Sequence, residues 1–413
     1  MLTYARQLLL FLIGRSPGEI VAGAALLGVT GVITGVGTSA WAGRQREAHA
    51  LTIKSLPLTL AFLLFCLADW TLLWALPRLR LSFSPEIMPP LIFSTFVRLL
   101  VFWGWLGAVL WVRWRGAGFP ACHGGRRWGT KVRTRPVAIL FLVTNLAFTA
   151  VQVDAYVVEP LLVETTELSL AFDDLDPAAP PVRVVHLTDI HIERSGFREA
   201  LVIQKVNALQ PDVIVLTGDY LNLSNLSDPT SADHFRQFAA QLQAPYGIYA
   251  VRGSVEPSPE FMARLVEGTD VVWLEQEALT VNVRGQSVTL VGLPLSPWQK
   301  LDAARLAQAT DDLPADAFTL LLYHTPDLVL EAAERGVDLY LGGHTHGGQL
   351  RLPFYGPIVT SSRFGRRYAA GLFEEGGTTM VVSRGLGFEG GGMPRARFLC
   401  RPEIVSIELK GVE

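Results

Sequence analysis

The 413-residue sequence contains few cysteines and no excess of positive charge. Its three cysteines, Cys66, Cys122 and Cys400, lie far apart, which excludes a disulfide framework and a cysteine-based zinc ribbon. The formal net charge is -3, and no basic surface dominates, so nucleic acid is not expected as a partner. We find no internal repeat in the sequence. The fold therefore does not depend on a disulfide framework, and nucleic-acid binding is not the expected function.

Long apolar runs are confined to the first part of the chain. The mean hydropathy of +0.32 arises from residues 1 to about 153, and the remainder is an ordinary soluble mixture. A bilayer is crossed by ~20 apolar residues in a helix, and four stretches meet that length: 20–41, 55–76, 90–111 and 136–153. We predict four transmembrane helices. The alternative for the first stretch is a signal peptide cleaved near Trp41.

The positions of lysine and arginine predict the orientation of these helices. The first and third connections carry ten Lys or Arg residues, against four in the N-terminal stretch and the second connection. Positively charged connections remain in the cytoplasm. We therefore predict a multi-pass protein of the cytoplasmic membrane whose C-terminal half is extracytoplasmic.

Two charged residues interrupt the predicted helices. Asp69 and Arg98 lie at matching depths in the second and third helices, and a charge inside a bilayer is costly unless it is paired. We interpret them as a structural ion pair. A proton or ion pathway, the alternative, needs further polar groups inside the membrane.

The second half of the sequence alternates between strand-like and helix-like patterns. Short apolar runs at 182–187, 213–217, 248–252, 288–293, 318–323, 337–341, 380–383 and 404–409 predict strands. Helical spacing at 197–209 and a proline-led start at 326–334 predict helices. The expected fold is an α/β domain in which two packed mixed β-sheets are flanked by helices. The predicted domains are 1–153 for the membrane, 154–181 as a linker and 182–413 for the α/β domain.

Histidine and aspartate residues follow four of the predicted strands. These candidate metal ligands are Asp189, His191, Asp219, His324, His344 and His346. Carboxylate oxygen and imidazole nitrogen together suit Mn, Fe or Zn better than Ca. Glycines beside the ligands, such as Gly342 and Gly343, allow the tight turns that bring backbone close to a metal.

The order and spacing of these motifs resemble those of the calcineurin-like metallophosphoesterases, over about residues 182–409. The segments Gly365-x-x-Tyr368, Ser383-Arg384-Gly385-Leu386-Gly387 and Pro402-Glu403-Ile404 are similar to those of its bacterial membrane-associated branch. The resemblance implies one or two divalent metal ions. It assigns Asp189, His191 and His346 to the first metal and His324 and His344 to the second, with Asp219 shared between the two metals.

The sequence departs from the family pattern at Gly253-Ser254-Val255-Glu256. Ser254 stands where the family has an asparagine ligand of the second metal, and Ser254 and Glu256 are the candidate weak ligands. Val255 occupies the usual position of the catalytic histidine, and valine cannot donate a proton. No residue is therefore assigned as a catalytic acid.

The resemblance implies a membrane-anchored phosphoesterase that hydrolyses a phosphodiester or diphosphate bond, with a phosphorylated small-molecule or lipid-linked substrate. Arg363, Arg366 and Arg367 are candidate substrate-binding residues, and a solvated basic face is the alternative for them. The alternative function is a weakly active or inactive module that binds metal or phosphate at the bilayer surface.

Overall fold

The structure, a computed structural model, describes residues 45–78, 88–116, 135–388 and 395–412. The described residues form two compact units, divided between Val153 and Asp154. The predicted helix at 20–41 and Cys122 lie outside the described residues. Each unit is considered by itself below.

The first unit consists of three described helices, α1 (Gln45–Arg78), α2 (Met88–Gly116) and α3 (Arg135–Val153). Among the described residues, two helical stretches are long and apolar enough to cross a membrane, Leu91–Ala108 and Ala138–Leu161. The predicted span at 55–76 lies in α1, but its apolar part is shorter, Leu60–Leu76. The described helices therefore support two full-length spans, and the four-helix membrane domain stays a prediction.

The predicted Asp69–Arg98 ion pair is confirmed and belongs to a larger network. Arg98 Nε and Nη2 each lie 2.5 Å from a carboxylate oxygen of Asp69, and both side chains are buried. The guanidinium also donates to side-chain oxygens of three residues on α3: Asn145, Thr149 and Gln152. Ser94 donates to Asp69 and accepts from Gln152.

This network explains how one charge pair is tolerated among apolar helices. The Arg98 guanidinium is also flanked by the rings of Phe65 and Phe148, each 5.0 Å from its central carbon. Because all three nitrogens of the guanidinium donate within the network, the arrangement favours a structural role over a proton or ion pathway.

The second unit contains two six-stranded sheets with helices on their outer faces. Its strands are β1 (Glu164–Phe172), β2 (Val182–Leu187), β3 (Val213–Leu216), β4 (Ile248–Ala250), β5 (Val271–Trp273), β6 (Glu277–Val283), β7 (Gln286–Gly292), β8 (Thr319–Leu322), β9 (Leu339–Gly342), β10 (Arg351–Leu352), β11 (Gly356–Pro357), β12 (Gly371–Glu375), β13 (Thr378–Val382) and β14 (Glu403–Gly411). Its helices are α4 (Phe197–Ala208), α5 (Pro229–Ala239), α6 (Pro259–Val266), α7 (Gln299–Thr310) and α8 (Val329–Glu334).

Both sheets are mixed. The first has the order β1-β14-β2-β3-β4-β5, and only β14 with β2 is antiparallel. The second has the order β12-β13-β9-β8-β7-β6, and its central four strands are parallel. This arrangement confirms the predicted mixed-sheet α/β domain.

The sheets pack face to face because their strands alternate between two apolar layers. Val182 and Val184 of β2 join Leu320 and Leu322 of β8 in the core between the sheets. Val185 and Leu187 of β2 face the opposite layer, with α4, α5 and α6. A third layer lies between the second sheet and the helices α7 and α8. The parallel strands of both sheets are thereby buried on two sides.

The predicted linker at 154–181 is corrected in part. Residues Glu164–Phe172 within it form β1, the edge strand of the first sheet, which pairs with β14 along its whole length. Its residues are half-buried or exposed, and Glu164 and Glu167 interrupt the apolar pattern that marks buried strands. An edge strand of this kind has no strong sequence signal.

The network around Arg98 predicts unequal effects of three variants. Arg98→Met leaves the Asp69 carboxylate buried without its partner, which costs about 3–5 kcal/mol. Asp69→Leu combined with Arg98→Met removes both charges and should recover much of that loss. The control is Leu100→Met, an exposed position on the same helix.

Thermal unfolding of the detergent-solubilised chain, followed by tryptophan fluorescence, measures these effects. Eight of the ten tryptophans lie within residues 1–153, so the signal reports mainly on the membrane unit. A single variant as stable as the Leu100→Met control would contradict the structural role of the pair.

Candidate metal centre

Loops at the carboxyl ends of four parallel strands carry the candidate ligands. Asp189 and His191 follow β2, Asp219 follows β3, His324 follows β8, and His344 and His346 follow β9. Because parallel strands present their carboxyl ends at one edge, the two sheets bring these loops together. The six residues form two triplets, and the ligand atoms within each triplet lie within 4.8 Å of one another.

The first triplet is Asp189, His191 and His346. The Nε2 atoms of the two histidines lie 3.3 Å apart, and His346 Nε2 lies 3.4 Å from Asp189 Oδ1. All three residues are buried. The first triplet therefore gathers one carboxylate and two imidazole nitrogens at a single point.

The second triplet is Asp219, His324 and His344. Asp219 Oδ2 lies 3.2 Å from His324 Nε2, and the same oxygen lies 3.6 Å from His191 Nε2 of the first triplet. His344 Nδ1 lies 3.0 Å from His324 Nε2. Asp219 thus stands between the triplets, as a carboxylate shared by two metal ions would.

The hydrogen bonds of His324 and His344 test whether this centre fits a cation. His324 Nδ1 donates to the Thr217 carbonyl at 2.7 Å, which fixes the ring so that Nε2 faces both His344 and Asp219. His344 bonds through its ring to the backbone of Ser361 and directs Nδ1 toward His324. The two ring nitrogens lie 3.0 Å apart and close to Asp219 Oδ2, so a cation at this point could be bound by all three atoms. The donor set fits divalent Mn, Fe or Zn.

The carboxylates and imidazole rings of the centre shift one another's pKa values. Burial alone would lower the pKa of His324, but the Asp219 and Asp189 carboxylates raise it to about 10. Burial alone would likewise raise the pKa of Asp219, yet the rings of His324, His191 and His344 hold it well below its usual range. The buried carboxylates therefore favour positive charge beside them, which a metal ion supplies.

Five of the six candidate ligands have a left-handed backbone. The φ angles of Asp189, His191, Asp219, His344 and His346 lie between 46° and 67°. For residues other than glycine this conformation costs roughly 1–2 kcal/mol each. Strained residues of this kind persist where the surrounding fold enforces them, and they concentrate at functional sites.

Glycines without room for a side chain hold the ligand loops against each other. A Cβ atom on Gly343 would lie 2.2 Å from Asp189 Oδ2, and one on Gly218 would lie 2.4 Å from the Cα of Gly253. A Cβ on Gly385 would lie 2.5 Å from that of Asp189. The motif glycines therefore set the close approach of backbone to the ligand carboxylates.

The two candidate weak ligands have separate roles. The Ser254 hydroxyl donates to Asp219, at 2.9 Å from Oδ2, so Ser254 lies beside the second triplet. Glu256 does not reach the centre: its oxygens accept from the backbone N–H groups of Asp219, Tyr220 and Gly253 at 2.8–3.1 Å. Burial and then the Asp219 charge raise the pKa of Glu256 to about 7. In this structure the candidate weak ligand Glu256 is therefore occupied by backbone N–H groups.

Val255 is buried, and its backbone N–H donates to Asp219 Oδ1 at 3.1 Å. The backbone N–H of Ser254 donates to the same oxygen at 2.6 Å. The backbone N–H groups of this loop therefore orient Asp219. The side chain of Val255 offers no proton donor.

The three candidate substrate-binding arginines are exposed and locally engaged. Arg363 pairs with Glu331 at 3.2 Å, and Arg367 pairs with Glu375 at 2.7 Å. Arg366 lies over the ring of Tyr355 and donates to its carbonyl. The acidic partners favour the solvated-face alternative for Arg363 and Arg367.

Arg397 is a buried residue near the candidate centre that the sequence reasoning missed. It is fully buried, and its guanidinium donates to the carbonyls of Arg384, Gly385, Gly387 and Cys400. The loop it holds donates the Leu386 and Gly387 N–H groups to the backbone of Thr188 and Asp189. Arg397 thus holds in place the loop that packs against the backbone of Asp189. In the sequence, the one indication that Arg397 is buried is its position just before the apolar residues 398–400.

Comparison with known proteins agrees with this geometry. Residues 182–348 match the family of calcineurin-like phosphoesterases. An uncharacterized metallophosphoesterase of Bacillus subtilis, YkuE, is 31% identical over 264 residues, which cover 61% of this chain and 87% of the relative. The chain belongs to the calcineurin-like phosphoesterase family.

Two further members have more specific names. Phosphodiesterase YaeI of Escherichia coli is 30% identical over 243 residues, covering 56% of this chain and 83% of the relative. UDP-2,3-diacylglucosamine pyrophosphatase LpxG of Chlamydia trachomatis is 26% identical over 300 residues, covering 60% and 89%. Family membership makes this chain one of the metal-dependent phosphoesterases.

The glycine contacts predict unequal effects of two neighbouring substitutions. Gly343→Ala pushes a methyl group against the Asp189 carboxylate and should weaken Mn²⁺ binding about 10–100-fold, as is typical when support of a ligand is lost. Gly342→Ala is the control, because its Cβ would meet no atom closer than 3.2 Å. Isothermal titration calorimetry with Mn²⁺ measures both. Equal affinities for the two variants would contradict the packing account of Asp189.

Proposed function

We propose that this chain is a membrane-anchored, metal-dependent phosphoesterase that hydrolyses a phosphodiester or diphosphate bond, with a weakened second metal site. The observation that carries the proposal is the position of Asp219, whose Oδ2 atom approaches a histidine of each triplet. A shared carboxylate between two nitrogen-rich sites is the arrangement that a two-metal phosphoryl-transfer centre requires.

The type of bond follows from the names of the relatives. YaeI is named a phosphodiesterase, and LpxG is named a pyrophosphatase of a diacylated nucleotide sugar. Both names support a phosphodiester or diphosphate bond, and the second supports a lipid-linked substrate. The late sequence segments that resemble the bacterial membrane-associated branch support the same substrate class.

Asp189, His191 and His346 would hold the first metal ion, and Asp219, His324 and His344 would hold the second. When bound, divalent cations of this type polarise a phosphoryl oxygen and lower the pKa of water. The chain's own residues orient the ligands: the Thr217 carbonyl fixes the ring of His324, and the backbone N–H groups of Ser254 and Val255 fix Asp219. The Glu256 carboxylate links the loops after β3 and β4, because it accepts hydrogen bonds from the backbone N–H groups of Asp219 and Gly253.

Ser254 and Val255 limit the rate that this centre can reach. The Ser254 hydroxyl directs its proton to Asp219 and competes for the oxygen that faces His324. Val255 can neither protonate a leaving group nor bind an oxyanion, and such a group is typically worth on the order of 10²–10⁴-fold in rate. The favoured substrates are therefore those with good leaving groups.

The second candidate function is a module that binds metal or phosphate at the membrane surface without efficient catalysis. The observation that favours it is the same loop, because the second triplet lacks the usual fourth side-chain ligand and Glu256 does not replace it. The catalytic test below separates the two functions.

Four transmembrane helices and an extracytoplasmic α/β domain complete the proposal. The apolar described helices and the buried Asp69–Arg98 network support membrane attachment. The lysine and arginine distribution supports the orientation.

Fusion proteins test the orientation. Alkaline phosphatase fused to the C-terminus is expected to be active, because it folds outside the cytoplasm. Green fluorescent protein at the same position is expected to be dark. A bright fluorescent fusion together with an inactive phosphatase fusion would contradict the topology.

A restored loop tests catalysis. Ser254→Asn combined with Val255→His returns the family residues and should raise turnover of bis-p-nitrophenyl phosphate by ~10² or more, since one positioned acid–base group contributes about that much. The assay contains Mn²⁺ and compares this variant with the wild-type chain and with Asp219→Ala, which removes the shared carboxylate. A double variant no faster than Asp219→Ala would favour the binding module instead.

A further inference from the structure

A small hairpin next to the metal centre exposes large apolar side chains. This Phe354 hairpin, residues 350–359, consists of β10, a turn and β11, and it follows directly after His346, Gly347 and Gly348. Phe354 is fully exposed at the turn, and about half of the surface of each of four neighbours is exposed: Leu352, Tyr355, Ile358 and Val359. A hairpin with two-residue strands has no core of its own in which to bury them.

The hairpin exposes Phe354 in an unfavourable backbone conformation. The φ angle of Phe354 is 63°, a conformation that a bulky side chain rarely adopts. The base is fixed: a Cβ on Gly348 would lie 2.2 Å from that of Pro357, and Arg351 and Phe398 are joined by a backbone hydrogen bond of 3.0 Å. A strained, rigidly held and fully exposed aromatic side chain indicates that Phe354 contacts a partner surface.

The charges around the hairpin indicate which partner it fits. Arg366 lies 4.1 Å from the centre of the Tyr355 ring and donates to the Tyr355 carbonyl, and Arg351 belongs to β10. Neither arginine forms an ion pair with a described residue, in contrast to Arg363 and Arg367. Apolar and aromatic side chains beside arginines are the composition of a surface that enters the interfacial region of an anionic bilayer.

Exposed apolar side chains also occur in other connections at the same edge of the sheets. Phe197 follows β2, Leu223 follows β3 and Trp298 follows β7, and all three are more than half exposed. They are separate projections on different loops. Such a broad face suits a lipid surface better than a single bound acyl chain.

We propose that the Phe354 hairpin is a membrane-interface element, which inserts Phe354 and Ile358 among the acyl chains of an anionic bilayer while Arg351 and Arg366 bind its phosphate groups. The proposal rests on the membrane attachment in the proposed function, but not on the catalytic activity. It would bring the loop after β9, which carries His344 and His346, close to the lipid headgroups, where a lipid-linked phosphate ester would be presented.

Photo-crosslinking in the full-length chain tests the proposal. The chain with the substitution Phe354→p-benzoylphenylalanine is reconstituted into vesicles that contain radiolabelled phosphatidylglycerol. Flotation first verifies that the chain is bound to the vesicles. The matched control carries the same residue at Leu279, an exposed position on the edge strand β6. Light should attach lipid to position 354 several-fold more than to position 279. A probe at Ile358 provides a second reading if the first variant folds poorly.

Two further comparisons test the role of charge. Replacing phosphatidylglycerol with phosphatidylcholine, or introducing Arg351→Glu with Arg366→Glu, should lower the labelling at position 354 several-fold. Equal labelling at 354 and 279 in floated protein would overturn the proposal, as would crosslinking mainly to a second copy of the chain. A chain that does not float would contradict the membrane attachment itself, and a catalytic failure would leave the crosslinking result unchanged.

Discussion

The convergence of six candidate metal ligands at the junction of two sheets is the constraint on which the rest of the second unit depends. Two buried carboxylates and four imidazole rings meet where the loops after β2, β3, β8 and β9 converge. His324 and His344 present ring nitrogens to each other at 3.0 Å, and Asp219 approaches both triplets. Positive charge stabilises this arrangement, and the fold provides strained ligand backbone and tight glycine contacts to maintain it.

The residues that depart from the family pattern act on the same carboxylate. Ser254 and Val255 direct two backbone N–H groups and one hydroxyl to Asp219, and Glu256 binds the backbone beside it. The loop therefore orients Asp219, although it carries serine and valine where the family pattern has asparagine and histidine. In the proposed function, these contacts would leave the first triplet complete and the second weakened.

The sequence predicted the parts of the structure that have a periodic or positional signal. The buried parallel strands are continuous apolar runs, and the ligands directly follow them, so the two sheets and both triplets could be anticipated. The strand β1 was missed because an edge strand with Glu164 and Glu167 lacks that signal. Arg397 and the α3 partners of Arg98 were missed because their importance arises only from tertiary contacts. The backbone contacts of Glu256 were not predicted, because sequence proximity to Ser254 does not determine where its carboxylate points.

The occupancy of the two metal positions distinguishes a metal centre with a weakened second site from one with two equal sites. Anomalous diffraction at the manganese edge, on crystals grown with Mn²⁺, counts the ions at each triplet independently of any substrate. We expect more than half occupancy at Asp189, His191 and His346, and clearly lower occupancy at Asp219, His324 and His344. Equal, full occupancy at both triplets would contradict the claim that Ser254 weakens the second site, and no ion at the first triplet would contradict the metal centre itself.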